Sequence, residues 1–477
     1  MTVDLVIHQK GIRSSEVDIV IMAAGKGTRM KSRKPKVLHR LAGRPLIEHV
    51  LETANGMDAR RVIIVTGHGG DDVELACTLA SVQARRPAPI FVRQEPQLGT
   101  GHAVQQAVPA LGDSGITLIL NGDVPLIQSG TLQALIDRCA GERVVLLSVD
   151  MPDPTGYGRI IRSGNAVWGI VEHKDATEEQ KQINEVYTGF MAVPTSVLKR
   201  WLAKLTNKNA QGEYYLTDII ALAVKDGADV VAVKAVDPLQ VDGVNSARQL
   251  AVLERTYQTR QAQQLMEQGV RLADPERFDL RGKIVCGTDV EIDINCIFEG
   301  TVWLGDGVTI GANCIISNAR IEAGAVIEPY THIAGERSGA QVGQNARVGP
   351  FARLRPGANL GPDVHVGNFV EIKNTTMAGG SKANHLAYLG DAIVGERVNY
   401  GAGSITANYD GANKHRTVIE ADVHVGSNSV LVAPVRLGAG GTVGAGSVIT
   451  KDTAPGVLSV ARGKQVAVEN WQRPSKN

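Results

Sequence analysis

The chain has 477 residues, 50 basic against 49 acidic, for a formal net charge of +1. With 43% apolar and 21% charged residues it is not a disordered chain, and its near-neutral balance gives no support for a nucleic-acid or general polyanion binder. No apolar run approaches the length of a transmembrane helix, so no membrane partner is expected. The start, MTVDLVIHQK, has an acidic residue and a very short apolar run, unlike a secretory leader. Cys77, Cys139, Cys286, Cys296 and Cys314 are an odd, scattered set with no CxxC. They read as reduced thiols of a cytoplasmic protein, with no zinc-site spacing. Of 53 glycines, 24 lie in residues 1–280 and 29 in the shorter remainder, which predicts two differently built regions.

In chain order, VDIVIM (17–22) is an apolar strand running into AAGKGTRM. Strands follow at RVIIVTG (61–67), PIFVRQ (89–94), ITLILNGD (116–123) and RVVLLSV (143–149). Helical stretches lie between them, among them PLIEHVLETA (45–54) and GTLQALIDRCA (130–140). This alternation predicts a mainly parallel sheet covered on both faces, with function at the carboxyl ends of its strands. Residues 246–268 lack Gly and Pro and predict one long helix.

Beyond about residue 284 aliphatic or small residues recur every six positions. One row is Val290, Cys296, Val302, Val308, Cys314, and a second is Ile292, Phe298, Leu304, Ile310, Ile316. The step resumes at Val342–Ile372 and again at Val425–Ile449, often with a glycine after the aliphatic. This predicts a hexapeptide-repeat β-helix, with the breaks at 333–341 and 378–424 as projecting loops. Cys296 and Cys314 should stack on neighbouring coils as small core thiols, close enough in principle for a disulfide.

AAGKGTRM begins where a strand ends. Its glycines let backbone N–H groups approach phosphate oxygens, and Arg29 adds a cationic fork. It is neither a P-loop nor a GxGxxG loop, and taken alone it could be a tight turn. Lys36 offers a second cation for a leaving pyrophosphate. QLGTGHA opens a helix on another glycine turn, and LNGDVPL sets Asp123 at a strand end, where a carboxylate suits Mg²⁺. On the repeats, Arg355 and Lys373 lie 18 residues apart, on neighbouring coils. Stacked cations repel unless an anion lies between them. Solvated surface cations are the simpler reading of the pair by itself. His385 with Tyr388 three residues on can act as a general base, or be a hydrogen-bonded structural histidine.

Together AAGKGTRM, KPKVLH, QLGTGHA, GDVPL, DPTGYGRI, GIVEHKDAT and GEYYLTDII resemble the bacterial N-acetylglucosamine-1-phosphate uridylyltransferases. RLRPGA, GNFVEIK, NHLAYLGDA and TANYDGANK extend the resemblance to the bifunctional family that is also a glucosamine-1-phosphate N-acetyltransferase. It runs from about residue 17 to the end, leaving about a dozen N-terminal residues outside the family pattern.

The resemblance implies an α/β fold: an N-terminal Rossmann-like nucleotidyltransferase domain (1–245), a linker helix (246–268) and a C-terminal left-handed parallel β-helix (269–477). It implies a cytoplasmic homotrimer that makes UDP-N-acetylglucosamine from glucosamine-1-phosphate, acetyl-CoA and UTP, with Mg²⁺ on Asp123 and Asn245. Met22, Ala23, Ala24, Gly25, Lys36, Gln94, Gly99, Thr100, Asn121 and Gly122 would hold the nucleotide, with Gln94 reading the uracil edge. Gly158, Glu172 and Tyr187 would hold the amino sugar, and Arg29 and Lys36 would neutralise charge during transfer. In the second reaction His385 would be the proton acceptor. Arg355, Lys373, Tyr388 and Asn399 would bind glucosamine-1-phosphate, and Ala402, Asn408, Tyr409, Ser427, Ala445 and Arg462 acetyl-CoA. Asn121 stands where relatives can have tyrosine, and Tyr187 where an asparagine contacting the sugar is expected. A backbone contact, a ring contact or no contact from Tyr187 are all open.

Two competing readings remain: a nucleotidyltransferase whose β-helix is only a scaffold, and a non-catalytic assembly protein. Within the second break, 403–420 (GSITANYDGANKHRTVIE) resembles a functional arm, and the Arg355–Lys373–His385 set with this arm argues against the first. Asp123 and Asn245 with intact phosphate loops argue against the second.

Overall fold

The computed structural model describes residues 16–164 and 166–474. The N-terminal segment expected to fall outside the family pattern lies outside these residues. The chain forms two compact units that divide between Tyr257 and Gln258.

The first unit is built on a mixed sheet. Its strands are β1 (Val17–Met22), β2 (Arg61–Thr66), β3 (Ile90–Arg93), β4 (Ile116–Asn121) and β5 (Val144–Asp150), then the hairpin β6 (Arg159–Ser163) and β7 (Ala166–Val171), then β8 (Glu185–Pro194) and β9 (Val230–Lys234). The main order is β9–β5–β8–β4–β1–β2–β3. The five expected strands are present within a residue or two of their predicted ends. The sheet is less parallel than expected, because β8 runs antiparallel between β4 and β5. Helices α1 (Leu46–Asn55), α2 (Gly70–Gln83), α3 (Thr100–Ala107), α4 (Ser129–Cys139), α5 (Thr195–Leu202) and α6 (Asp218–Lys225) complete the layers.

Alternate residues of β1 feed different cores. Ile19 and Ile21 pack with Ile47, Val50 and Leu132, whereas Val20 packs with Val104, Leu198 and Ile219. Burial on both faces is why these strands read as continuous apolar runs. β1 and β4 are parallel neighbours that finish together, Met22 beside Asn121. The loops AAGKGTRM and GDVPL therefore leave the sheet side by side.

A 21-residue helix, α7 (Ala247–Glu267), holds the division between the units. The second unit is a parallel β-helix of short strands in an 11-stranded and a 16-stranded ladder. The long strands Phe278–Cys286, Cys296–Leu304 and Ile315–Ile321 carry the larger ladder around a corner. Both sequence rows point inward and are fully or almost fully buried. The in-phase glycines answer a close approach between coils. A Cβ on Gly343 would lie 2.3 Å from the Gly361 carbonyl carbon, and one on Gly367 1.9 Å from the Asn384 oxygen. Cys296 and Cys314 are free thiols, each 3.3 Å from a carbonyl oxygen, of Gly311 and Glu328 respectively.

One expectation is corrected. Residues 378–424 are not a projecting loop: strands continue through Lys382–His385, Tyr388–Gly390, Ala392–Val394, Asn399–Tyr400 and Ile405–Ala407 to Thr417–Ile419. The inward positions here are Ile372, Met377, Ala383, Leu389, Val394, Tyr400 and Thr406, all buried. Two steps of five residues and a threonine in the core broke the six-residue count without breaking the stack. Only 408–416 leaves the coil between the last two strands, and at 333–341 only 335–339 does so. Among the described residues no helix is long and apolar enough to cross a membrane.

Candidate functional site

A cavity of about 460 Å³ opens at the ends of β1 and β4. Met22, Ala23, Ala24, Gly25, Lys36, Gln94, Gly99, Thr100, Asn121 and Asp123 line it, ten of the expected nucleotide-site residues. Lys26, Gln97 and Glu213 join them. Gly122 is held below the loop by donating its N–H to the Met22 carbonyl at 2.9 Å. Gly99 has φ +108°, and a Cβ there would meet the Tyr214 oxygen at 2.6 Å, so the GEYYLTD segment packs directly on the QLGTG turn. Gln94 is buried and donates from Nε2 to the Gly99 carbonyl at 2.8 Å. Thr100 Oγ1 accepts the Leu216 N–H at 3.0 Å.

The cations Lys36 and Arg29 converge on Asp123 and Asn245. Gly27, at φ +59°, leaves room for Lys36: a Cβ there would lie 2.6 Å from Lys36 Cβ. The Lys36 ammonium pairs with the Asp123 carboxylate and donates to Asn245 Oδ1 at 3.2 Å. Arg29 donates to the same Oδ1 at 2.8 Å. The Val244 N–H donates to the Asp123 carbonyl at 3.0 Å, which brings the VDGVN segment alongside GDVPL. A carboxylate and an amide oxygen thus address one cationic point. That donor set fits a divalent cation completing its shell with phosphate oxygens and water. Among the described residues no group of three or more His, Cys, Asp or Glu forms a closed metal cage. Asp242, unmarked by the sequence reading, lines the adjoining recess with Arg29 and Asn245, and burial raises its carboxyl above the usual range.

Gly158, Glu172 and Tyr187 form a second group outside that cavity's lining. A Cβ on Gly158 would sit 3.6 Å from Glu172 Oε1. Glu172 is pushed above the carboxylate range by burial and accepts from Thr217 Oγ1 at 2.9 Å. Tyr187 donates its backbone N–H to the Gly158 carbonyl at 2.8 Å, while its ring is buried and its hydroxyl has no hydrogen-bond partner among the described residues. Asn121 bridges the groups, donating to the Thr188 carbonyl at 3.3 Å.

On the β-helix, Arg355, Lys373 and Tyr388 belong to one face of the larger ladder. Arg355 donates to Glu371 at 2.8 Å. The ammonium of Lys414, then burial and Arg355, hold Lys373 below the usual lysine range. Tyr388 folds over Gly390, where a Cβ would strike its hydroxyl at 2.2 Å. His385 sits at the next corner, with Nδ1 3.1 Å from Oδ1 of Asn368 on the coil before. This contact engages Nδ1, and Nε2 is the ring nitrogen outside it. Ala402, Ser427 and Ala445 occupy one corner of successive coils, and Arg462 Nη1 donates to the Ala445 carbonyl at 2.7 Å. Asn408 and Tyr409 begin the arm that leaves the coil. Asn399 does not join Arg355 and Lys373: it lies in the 11-stranded ladder, its amide 3.2 Å from His424. Asn368, Glu371 and Lys414 escaped the sequence reading. Counting one coil back from His385 and Tyr388 would have found Asn368 and Glu371.

An α/β nucleotide site followed by a β-helix carrying a poised histidine defines a two-site transferase. Residues 19–178 match the MobA-like NTP transferase domain, and 416–451 match the bacterial transferase hexapeptide (six repeats). The chain is 67% identical over 474 residues to Bifunctional protein GlmU of Paracidovorax citrulli (strain AAC00-1), covering 97% of this chain and 99% of that one. It is 66% identical over 469 residues to the protein of that name in Acidovorax sp. (strain JS42), covering 96% and 98%. For Nitrosospira multiformis (strain ATCC 25196 / NCIMB 11849 / C 71) the values are 54% over 464 residues, 97% and 98%. The chain belongs to the bifunctional GlmU family. It is an acetyltransferase and a uridylyltransferase that makes UDP-N-acetylglucosamine from nucleotide, sugar phosphate and acetyl-CoA, with a divalent-metal requirement in uridylyl transfer.

Proposed function

We propose that the cavity at the ends of β1 and β4 holds UTP, with Mg²⁺ on Asp123 and Asn245. The convergence of Asp123, Asn245, Lys36 and Arg29 carries this reading. Bound there, Mg²⁺ supplies charge neutralisation for the transferring phosphoryl group. The backbone of Met22–Gly25 and the Gly99–Thr100 turn cradle the phosphates. Gln94, its nitrogen committed to Gly99, keeps its oxygen to accept from the uracil N–H. The sugar phosphate attacks the α-phosphorus, and Lys36 and Arg29 stabilise the departing pyrophosphate. Gly158, Glu172 and Tyr187 hold the acceptor sugar.

At the second site the glucosamine amine attacks the thioester carbon of acetyl-CoA. The C–S bond breaks as the C–N bond forms; His385 Nε2 takes the amine proton and passes it to the departing sulfur, so coenzyme A is released as the thiol. Arg355, Lys373 and Tyr388 bind the sugar phosphate. Ala402, Asn408, Tyr409, Ser427, Ala445 and Arg462 bind acetyl-CoA. Asn399 lies on a different ladder from the phosphate-binding face, which supports a site completed by another copy and hence a homotrimer. The unpaired, stacked Cys296 and Cys314 support a reducing, cytoplasmic setting. The uridylyl domain spans 1–245, the linker helix 246–268 and the acetyltransferase domain 269–477.

Asn245→Ala tests the metal assignment. The Mg²⁺ concentration for half-maximal pyrophosphate release should rise by ~10-fold or more, and Mn²⁺ binding followed by electron paramagnetic resonance should weaken in parallel. Unchanged metal binding would reject the ligand role.

A further inference from the structure

Asp391 is a buried carboxylate, 8% exposed, that the reaction chemistry above leaves unused. Its oxygens are shared between two amides from different parts of the chain. Asn374 Nδ2 donates to Oδ1 at 2.6 Å, and Asn408 Nδ2 donates to Oδ2. Its backbone carbonyl accepts the Thr417 N–H at 3.2 Å. Asn408 is the first residue of the arm 408–416, and Thr417 the first after it. One residue therefore grips both ends of the arm.

The grip is itself held rigidly. Asp391 has φ +51°, a left-handed conformation that aspartate tolerates better than most residues. Buried threonines of the coils on either side fix that corner. Thr406 Oγ1 accepts the Gly390 N–H at 2.8 Å, and Thr375 Oγ1 accepts the Ala392 N–H at 3.1 Å. The arm has its own internal order. Asp410 pairs with His415 at 2.6 Å and accepts the Ala412 and Asn413 N–H groups, and the His415 N–H donates to the Asn408 carbonyl at 2.8 Å. With this internal order and both ends held at Asp391, the anchor sets where the hairpin sits. One force opposes the seating, because Lys414 of the arm brings its ammonium against Lys373. Asp391 is the acidic neighbour of Lys373, so its charge offsets that repulsion as well.

We propose that Asp391 is the positioning residue of the acetyl-transfer site, seating the arm 408–416 against the sugar-phosphate face so that Asn408 and Tyr409 meet acetyl-CoA. The proposal rests on the reading of that arm as part of the acetyl-CoA site. Asp391 does not touch the reacting atoms, so its loss acts through the arm. The test uses the full-length protein with Asp391→Ala and the isosteric Asp391→Asn, which keeps the shape but loses the charge and one acceptor. Tryptic cleavage after Lys414 and Arg416, identified by mass spectrometry, reports arm seating without any substrate. It should quicken by ~5-fold or more in Asp391→Ala. The KM for acetyl-CoA should rise by ~10-fold or more while kcat changes less, with Asp391→Asn intermediate on both measures. Uridylyl transfer, in the other unit, should be unchanged. Tyr409→Ala separates the two claims, because it alters the arm's tip and leaves the anchor. If it leaves the KM for acetyl-CoA unchanged, the acetyl-CoA reading of the arm fails, while cleavage still decides the anchoring. Unchanged cleavage in both Asp391 variants, or an unchanged KM in them where Tyr409→Ala is impaired, overturns the proposal.

Discussion

At the scale of single residues, the proposed uridylyl site turns on where Lys36 puts its ammonium, against Asp123 and Asn245. Gly27 permits that placement, since its φ of +59° and the 2.6 Å approach to Lys36 Cβ leave no room for a side chain. Gly27→Ala should therefore displace Lys36 from Asp123 and Asn245. The expected loss in kcat for pyrophosphate release is ~10²-fold, the usual effect of a misplacement of about 1 Å. Acetyl transfer should be unaffected, and wild-type uridylyl rates in Gly27→Ala would refute the argument. Asp123 and His385 stand out in the sequence because each sits in a motif whose proposed chemistry needs that residue type. Asn368 was not, because it meets His385 only through the register of neighbouring coils, 17 residues apart. Tyr187 was legible as a departure, but its environment was not: the ring is packed inside and its hydroxyl lacks a partner among the described residues. Asn368 emerges only by counting one coil back from His385, and the burial of the Tyr187 ring has no such marker in the chain order.

At the scale of elements, α1 carries a built-in acid sensitivity. His49 is buried, with Nε2 2.9 Å from the Leu41 carbonyl and its ring edge-on to Tyr257 at 5.5 Å. Burial, and then Arg44, push its pKa down to about 4. The unfolded chain takes up that proton near pH 6.5, so between those values it binds more protons than the folded one. Stability therefore falls as pH drops through this window, by ~3 kcal/mol in all from this group. His49→Gln keeps a donor for Leu41 but cannot titrate. Urea inactivation of uridylyl transfer at pH 7 and pH 4.5 should show a smaller acid loss in the variant, and equal losses would contradict the assignment. The elements of the first unit were readable because doubly buried strands give uninterrupted apolar runs. The antiparallel β8 was not, since strand direction leaves no mark in composition. The β-helix was readable wherever its step stayed at six. It vanished from the count at Ile372–Met377 and Leu389–Val394, where one residue fewer turns the corner while the core stays filled.

At the scale of the whole molecule, two sets of residues in two compact units serve consecutive reactions, the product of the β-helix being the acceptor for the α/β unit. In the proposed assignment each set supplies its own chemistry, so the two activities should fail independently. The decisive measurement is a product assay with glucosamine-1-phosphate, acetyl-CoA, UTP and Mg²⁺ on the wild type, Asp123→Ala and His385→Ala. The wild type should give UDP-N-acetylglucosamine. Asp123→Ala should stop at N-acetylglucosamine-1-phosphate. His385→Ala should give nothing from glucosamine-1-phosphate yet full UDP-N-acetylglucosamine from added N-acetylglucosamine-1-phosphate. Loss of both steps in either variant, or retention of both, would contradict the separation of the two sites.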